Sequence, residues 1–337
     1  WLGVLALIGS GVLAVLLVLS RTPGIQEFFP LKSLFRAALV VHVDLSVLVW
    51  FVAIAGLLWG LNQRAARSPA AAGVAWAALV LAVLGAAGMA LAAFVDPAAP
   101  VMANYIPVLD STVFRAALGV FAVAGVLLVA QGLARPMPLG PALDGTGALR
   151  FGLNASVVAA AVALLAFGWS LAVVPRALPA QAYYEILFWG GGHALQFTWT
   201  LIMLVAWLAL SQACGAQVPL SPRVVLLLFA VALAGVFVTP LAYVLHDATS
   251  VEHRALHTWG MRVGGGLAIA PFALAVLLPG LGLWWLRLFL TRRLAGRFGM
   301  LDVPRGHKTH VRPTPLLGGC AILAAVLLPS LLVLAVA

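Results

Sequence analysis

The chain has 337 residues, of which 64% are hydrophobic and only 8% charged, and its formal net charge is +10. This composition excludes a soluble globular domain, and apolar runs of about 20 residues mark membrane-spanning helices. It also removes nucleic acid as the meaning of the charge, because Lys and Arg in a membrane protein mark the cytoplasmic loops. In chain order, nine apolar segments are predicted to cross the bilayer: 2–20, 35–61, 73–95, 112–134, 151–174, 183–211, 222–246, 258–286 and 315–336. Each spans a core of about 30 Å at about 1.5 Å per residue. Turn-forming stretches separate them, such as "RTPG" at 21–24, "DPAAP" at 96–100 and "ARPMPLGP" at 134–141. Barrel strands would be about half as long and would alternate in polarity. The expected fold is therefore all-α, a polytopic integral membrane bundle of about nine transmembrane helices.

Charge sets an expected orientation. Seven Lys and Arg residues fall at one set of helix ends and twelve at the other, seven of the twelve between Arg287 and Arg312. The richer side is expected to be cytoplasmic. The N-terminus then lies inside, the last residue outside, and the host membrane is a bacterial inner membrane. Cys214 and Cys320 are far apart in sequence and point to neither a disulfide framework nor a zinc site. The chain opens on Trp1 and ends within an apolar run at Ala337, which reads as a piece of a longer protein. No basic n-region or small-residue cleavage site marks a signal peptide.

The histidines carry the most information. His42 lies in the second segment, His193 in the sixth, His246 at the end of the seventh, and His253 and His257 where the eighth begins. The alternating topology brings all five to the outer half of the bilayer or its edge. Intramembrane ionisable residues are functional candidates by default, and imidazole is a common ligand of haem iron and copper. A plain structural role stands beside this: one membrane histidine can simply hydrogen-bond across helices. For His253 and His257, beside a loop, hydration is the simpler expectation. His42 and His193, both well inside helices at similar depth, point more towards a cofactor.

The first eight helices, about residues 1–275, resemble a divergent haem-copper oxidase subunit I. "FRAALVVHVDLSVLVWF" (35–51) is similar to that family's second helix, "FWGGGHALQF" (188–197) to its sixth, and "VTPLAYVLHDATS" (238–250) to the end of its seventh. The resemblance implies a membrane redox protein with His42 as an axial haem ligand and His193 and His246 as copper ligands. It implies an electron-donor subunit as partner, beside the membrane lipids. The glycines would let a helix or a macrocycle approach closely. Three departures leave the ligand set incomplete. Asp247 stands where the family has a second adjacent histidine, Phe197 where many members have a tyrosine, and the helix supplying the remaining haem ligands is absent.

Residues 276–337 carry a second signature. "RRLAGRFGMLDVPRGHKTHVRPTPLLGG" (292–319) is a basic loop suited to phosphate or anionic lipid, or simply a positive-inside loop. Its order of Asp302, Pro304, Lys308, His310, Pro313, Pro315, Gly318 and Gly319 resembles the first cytoplasmic loop of the polyprenyl-phosphate N-acetylhexosamine-1-phosphate transferases. That resemblance implies phosphate binding by Lys308 and His310. It offers an alternative function as the first portion of a lipid-linked sugar-phosphate transferase that uses a UDP-sugar and Mg2+. The aspartate-rich magnesium motifs of that family are absent. A third expectation is a structural membrane subunit that binds no cofactor.

Overall fold

Lipid offers a backbone N–H or C=O no partner, so segments of this composition must satisfy their own hydrogen bonds as helices. The computed structural model describes residues 1–22, 32–63, 68–96, 98–140, 144–213, 218–297, 301–302 and 314–315, with side chains as far as 276 apart from 32–34 and at 297. Among the described residues eight helices are long and apolar enough to cross a membrane. The chain is thus an all-α polytopic membrane bundle. The expected ninth span, 315–336, and the candidate residues Lys308 and His310 lie outside the described residues.

The elements are α1 (Leu2–Leu19), α2 (Lys32–Val43), a π-helical stretch (Asp44–Val49), α3 (Trp50–Asn62), α4 (Pro69–Val95), α5 (Thr112–Ala134), α6 (Gly145–Val173), α7 (Ala180–Ala213), α8 (Pro222–Val236), α9 (Val238–Leu245) and α10 (Val251–Arg297). Between α4 and α5 a short hairpin pairs β1 (Pro100–Val101) with β2 (Val108–Leu109), antiparallel. The chain divides into two units, Trp1–Leu274 and Ala275–Ala337. In the second, the described residues hold the rest of α10 and an antiparallel pairing of β3 (Leu301–Asp302) with β4 (Thr314–Pro315).

The helices start where side-chain oxygens can take orphan amides. The hydroxyl of Ser68 accepts from Ala71 N at 3.3 Å, with Pro69 in the first turn, and Asp144 accepts from Gly147 N at 2.8 Å. The second and seventh spans are interrupted. Val236 ends α8, and Phe237 N turns back to Ala234 O at 3.2 Å before α9 begins. Pro240 follows within one turn, and its missing N–H accounts for the break. The second span carries the π-helical stretch just after His42, a local irregularity of the kind found often at functional sites.

Packing in the first unit relies on small residues, since apolar surface gains little by leaving lipid and close contact must supply the attraction. A methyl group at Gly85 would stand 2.7 Å from Phe121 N, so α4 and α5 meet backbone to backbone. Likewise a methyl at Gly235 would come within 3.0 Å of Gly264 Cα, where α8 crosses α10. Helix α1 buries only Gly3, Ala6 and Ser10 and turns most of its surface outward.

Connectivity brings the α1–α2, α4–α5, α6–α7 and α9–α10 links to one end of the spans. Asn104 in the hairpin loop bonds Glu185 near the start of α7, through its backbone N at 3.0 Å and through its side chain. This hairpin end is where the histidines gather.

Candidate functional site

The sequence "GGG" at 190–192 lies in the middle of α7, where three glycines weaken a helix by roughly 1 kcal/mol each relative to Ala. The offsetting gain is space. A methyl at Gly190 would collide with the Tyr243 ring of α9, one at Gly191 with Phe167 of α6, and one at Gly192 with Tyr105 of the hairpin loop. Aromatic rings from three other elements are therefore seated against one bare turn of α7, immediately before His193. Tyr243 is held further by its hydroxyl, 2.6 Å from Ser170 Oγ, and by stacking on Trp169 at 5.2 Å.

Three imidazoles converge on this turn. His193, His253 and His257 are 5%, 1% and 2% exposed. The ring centres of His193 and His257 are 5.6 Å apart and those of His253 and His257 are 4.5 Å apart. Tyr243 lies 4.5 Å from His253 and 5.9 Å from His257, edge-on to both. His253 and His257 share a face of α10 because residues four apart on a helix stack one above the other. The structure corrects the expectation of hydration at these two residues. Helix α10 starts at Val251, seven residues ahead of the apolar run, and Ser250 Oγ accepts from His253 N at 3.1 Å at its first turn. Polar residues in that turn lower its hydropathy, so the apolar run begins later than the helix.

Hydrogen bonds fix the tautomers. Nδ1 of His257 is 2.9 Å from His253 O, and Nδ1 of His253 is 3.3 Å from Ala242 O. A carbonyl can only accept, so each Nδ1 carries the proton and, in the neutral ring, Nε2 keeps its lone pair. Nε2 of His257 is buried and has no hydrogen-bond partner among the described residues. Nδ1 of His193 has two neighbours, Trp189 O at 2.9 Å and the Tyr105 hydroxyl at 2.8 Å. Tyr105 belongs to the loop, outside the spans. Burial first, and the negative charge of Glu185 second, push its phenol well above the ordinary range, so it stays a neutral hydroxyl.

A backbone carbonyl on Nδ1 and a free Nε2 is the arrangement by which proteins orient metal-ligating histidines. Two imidazoles sharing an ion through nitrogens at about 2.0–2.1 Å have ring centres roughly 4.5–5.5 Å apart, for ligand angles from square to trigonal. The 4.5 Å pair falls at the lower end of that range and the 5.6 Å pair just above it. Among the described residues no three His, Cys, Asp or Glu side chains are already arranged to hold an ion, so ring rotations would have to bring the nitrogens to one point. The donor set, neutral imidazoles beside neutral phenols, suits a late first-row ion such as copper or zinc.

The other expected ligands, His42 and His246, make no ring contact with this cluster among the described residues. His42 is half-buried, and its Nδ1 is 2.9 Å from both Oγ and O of Ser10 on α1. Its hydrogen-bond partners share no residue with those of His193. His246 closes α9 in an extended conformation, half-buried and within electrostatic reach of His253. Asp247, where the resembled family has a histidine, is exposed and caps the turn. It accepts from Thr249 N at 2.8 Å and from the Thr249 hydroxyl, and these bonds hold its carboxyl below the usual range. The imidazoles in ring contact with His193 and with each other are thus those of the i,i+4 pair His253 and His257.

Asp44, which the sequence reading passed over, is 1% exposed at the start of the π-helical stretch. Neither carboxyl oxygen has a hydrogen-bond partner among the described residues. The signal was present: an acidic residue inside "VVHVDLSVLVW" is an intramembrane ionisable group like any other.

No family model matches the chain, and no solved structure matches it significantly. An uncharacterized protein of Rickettsia prowazekii (strain Madrid E) is 25% identical over 301 residues, covering 79% of this chain and 56% of that protein. An uncharacterized protein of Aquifex aeolicus (strain VF5) is 27% identical over 281 residues, covering 81% of this chain and 66% of that protein. The chain spans between about half and two thirds of the length of these curated relatives.

Proposed function

We propose that this chain is a membrane redox protein whose centre is a copper ion held by His193, His253 and His257. One observation carries the reading: Nε2 of His257 is buried without a hydrogen-bond partner among the described residues while its Nδ1 is tied to a carbonyl, and two further imidazoles are its ring neighbours. A buried, unpaired acceptor costs about 1–3 kcal/mol, and a metal bond would remove that cost. Bound copper would supply one-electron chemistry. The chain's part is to set the tautomers through Trp189 O, Ala242 O and His253 O, to exclude water with Tyr105, Tyr243 and Phe167, and to hold a proton on the Tyr105 hydroxyl beside His193. Electrons would come from a separate donor subunit. The positive-inside count supports a bacterial inner membrane, with the basic helix ends cytoplasmic and the hairpin end outside.

The test is metal analysis and electron paramagnetic resonance on the chain purified from copper-supplied cells. About one copper per chain is expected, lost in His193→Ala and His257→Ala and retained in His246→Ala. A copper-free native protein, or full retention in His257→Ala, overturns the reading.

A second reading assigns a haem to His42. It is supported by the Ser10 carbonyl on Nδ1, which leaves Nε2 free in the manner of an axial ligand. The chain would supply that one ligand, so a five-coordinate spectrum is expected. Lack of a Soret band in either redox state, in protein from haem-replete cells, excludes it.

A further inference from the structure

A cavity of about 560 Å3 with no histidine in its lining lies in the first unit, between α3, α5, α6 and α7. Its walls are almost wholly apolar, built by residues such as Trp59, Phe121, Phe167, Phe188 and Trp199. One end differs. There Arg115 and Tyr184 line it, and Arg115 is ion-paired with Asp110 and hydrogen-bonded to Tyr184.

The cavity has the dimensions of a tail. On α5 it extends from Arg115 to Val129, fourteen residues or about 21 Å of helix. One leaflet of hydrocarbon is about 15 Å. Its lips face outward: Val126 and Leu171 are 48% and 56% exposed. Three lining glycines, Gly119, Gly125 and Gly168, have nothing within 4 Å of where a side chain would begin, so the space is kept open by the sequence itself. Past the far end the helices close, with Gly132 of α5 tight against Val157 of α6.

Charge selects the head. Asp110 already neutralises Arg115, so a phosphate placed there would meet a carboxylate as well as a guanidinium. An uncharged head with carbonyl oxygens can accept from the spare N–H groups of Arg115 and from Tyr184 without breaking the pair. The stacked Tyr184 and Phe188 rings, 5.9 Å apart and 20° from parallel, offer a flat wall beside it.

We propose that this cleft binds a membrane amphiphile with a long apolar tail and an uncharged, carbonyl-bearing head, the head at Arg115 and the tail running towards Trp59. Both an isoprenoid quinone and a neutral acyl glycerol have this chemistry. The experiment is quantitative mass spectrometry of the lipid extract from the full chain purified in mild detergent, normalised to the parent membrane. Exact mass and ultraviolet absorption distinguish quinone from acyl lipid.

The expected result is one such neutral species enriched to near one per chain, and reduced at least tenfold in Gly125→Phe and in Gly168→Leu, which fill the cleft from opposite walls. Arg115→Gln, which leaves the space open, should lower occupancy severalfold. Size-exclusion and circular-dichroism profiles identify which variants have folded, and if one filling variant fails, the other two substitutions carry the test. Extracts with the bulk membrane composition, equal occupancy in a folded filled variant, or enrichment of an anionic phospholipid instead would each overturn the proposal.

Discussion

His193 and His257, 64 positions apart in the chain, stand with ring centres 5.6 Å apart and both buried. Their meeting depends on the glycine turn of α7 and on the early start of α10. Each dependence has a measurable consequence.

Gly192→Ala should be disruptive beyond its size. The added methyl would collide with the Tyr105 ring, and the loop must move to relieve it. A loss of about 1–3 kcal/mol is expected, the usual cost of overpacking. It should appear as a lower Tm in micelles, and Gly11→Ala, which meets nothing within 4 Å, should leave Tm unchanged or raise it.

His257→Phe separates binding from stability. The phenyl ring deletes the Nε2 that has no partner among the described residues, but also the Nδ1 bond to His253 O, and it is larger than imidazole, so the metal-free variant should lose no more than about 1–3 kcal/mol relative to the metal-free native chain. Copper binding should be abolished. A large drop in the stability of the metal-free form would show that Nε2 has a structural partner.

Tyr105 sets an alkaline limit. Its phenol is raised in the folded chain by burial and by Glu185, while in the unfolded chain it ionises near pH 10. Its stabilising contribution is therefore complete below about pH 10 and is lost as pH rises from there towards the folded value. Tyr105→Phe should make the pH–stability curve flatter above pH 10, and spectrophotometric titration should show one fewer late-ionising tyrosine.

Ser10 ties α1 to the bundle through His42. Ser10→Ala removes hydrogen bonds to both the ring and the backbone carbonyl. A cost of about 0.6–2 kcal/mol is expected, as for other interhelical bonds in membranes. Hydrogen exchange should rise along α1 and remain unchanged in α7.

Asp44→Ala should be neutral or stabilising, by about 1–3 kcal/mol, because it deletes a buried carboxyl without partners among the described residues. Thermal unfolding of the purified variant checks this. A loss of stability would reveal a partner for the carboxyl.

The helices were legible because lipid makes hydropathy and helical length nearly sufficient. The spans from 112–134 and 222–246 fall almost residue for residue on α5 and on α8 with α9. The apolar run at 258–286 starts seven residues after α10 does, because Glu252, His253 and Arg254 lower hydropathy where helix geometry still holds. The site was half legible. His193 was found from its neighbours in sequence and its depth. Its closeness to His257 depends on which helices pack together, and periodicity carries no such information. Tyr105 left no signal at all: one tyrosine in a short loop becomes part of the cluster only through the fold-back of the hairpin.

That fold-back has a consequence for how the protein matures. Tyr105 belongs to a connection rather than to a span, and it reaches His193 from there. Insertion of the helices can therefore leave the cluster unfinished until the α4–α5 link settles over it. A reagent that never enters the bilayer, such as a protease or an antibody against the link, would then act on a buried cluster of the bundle.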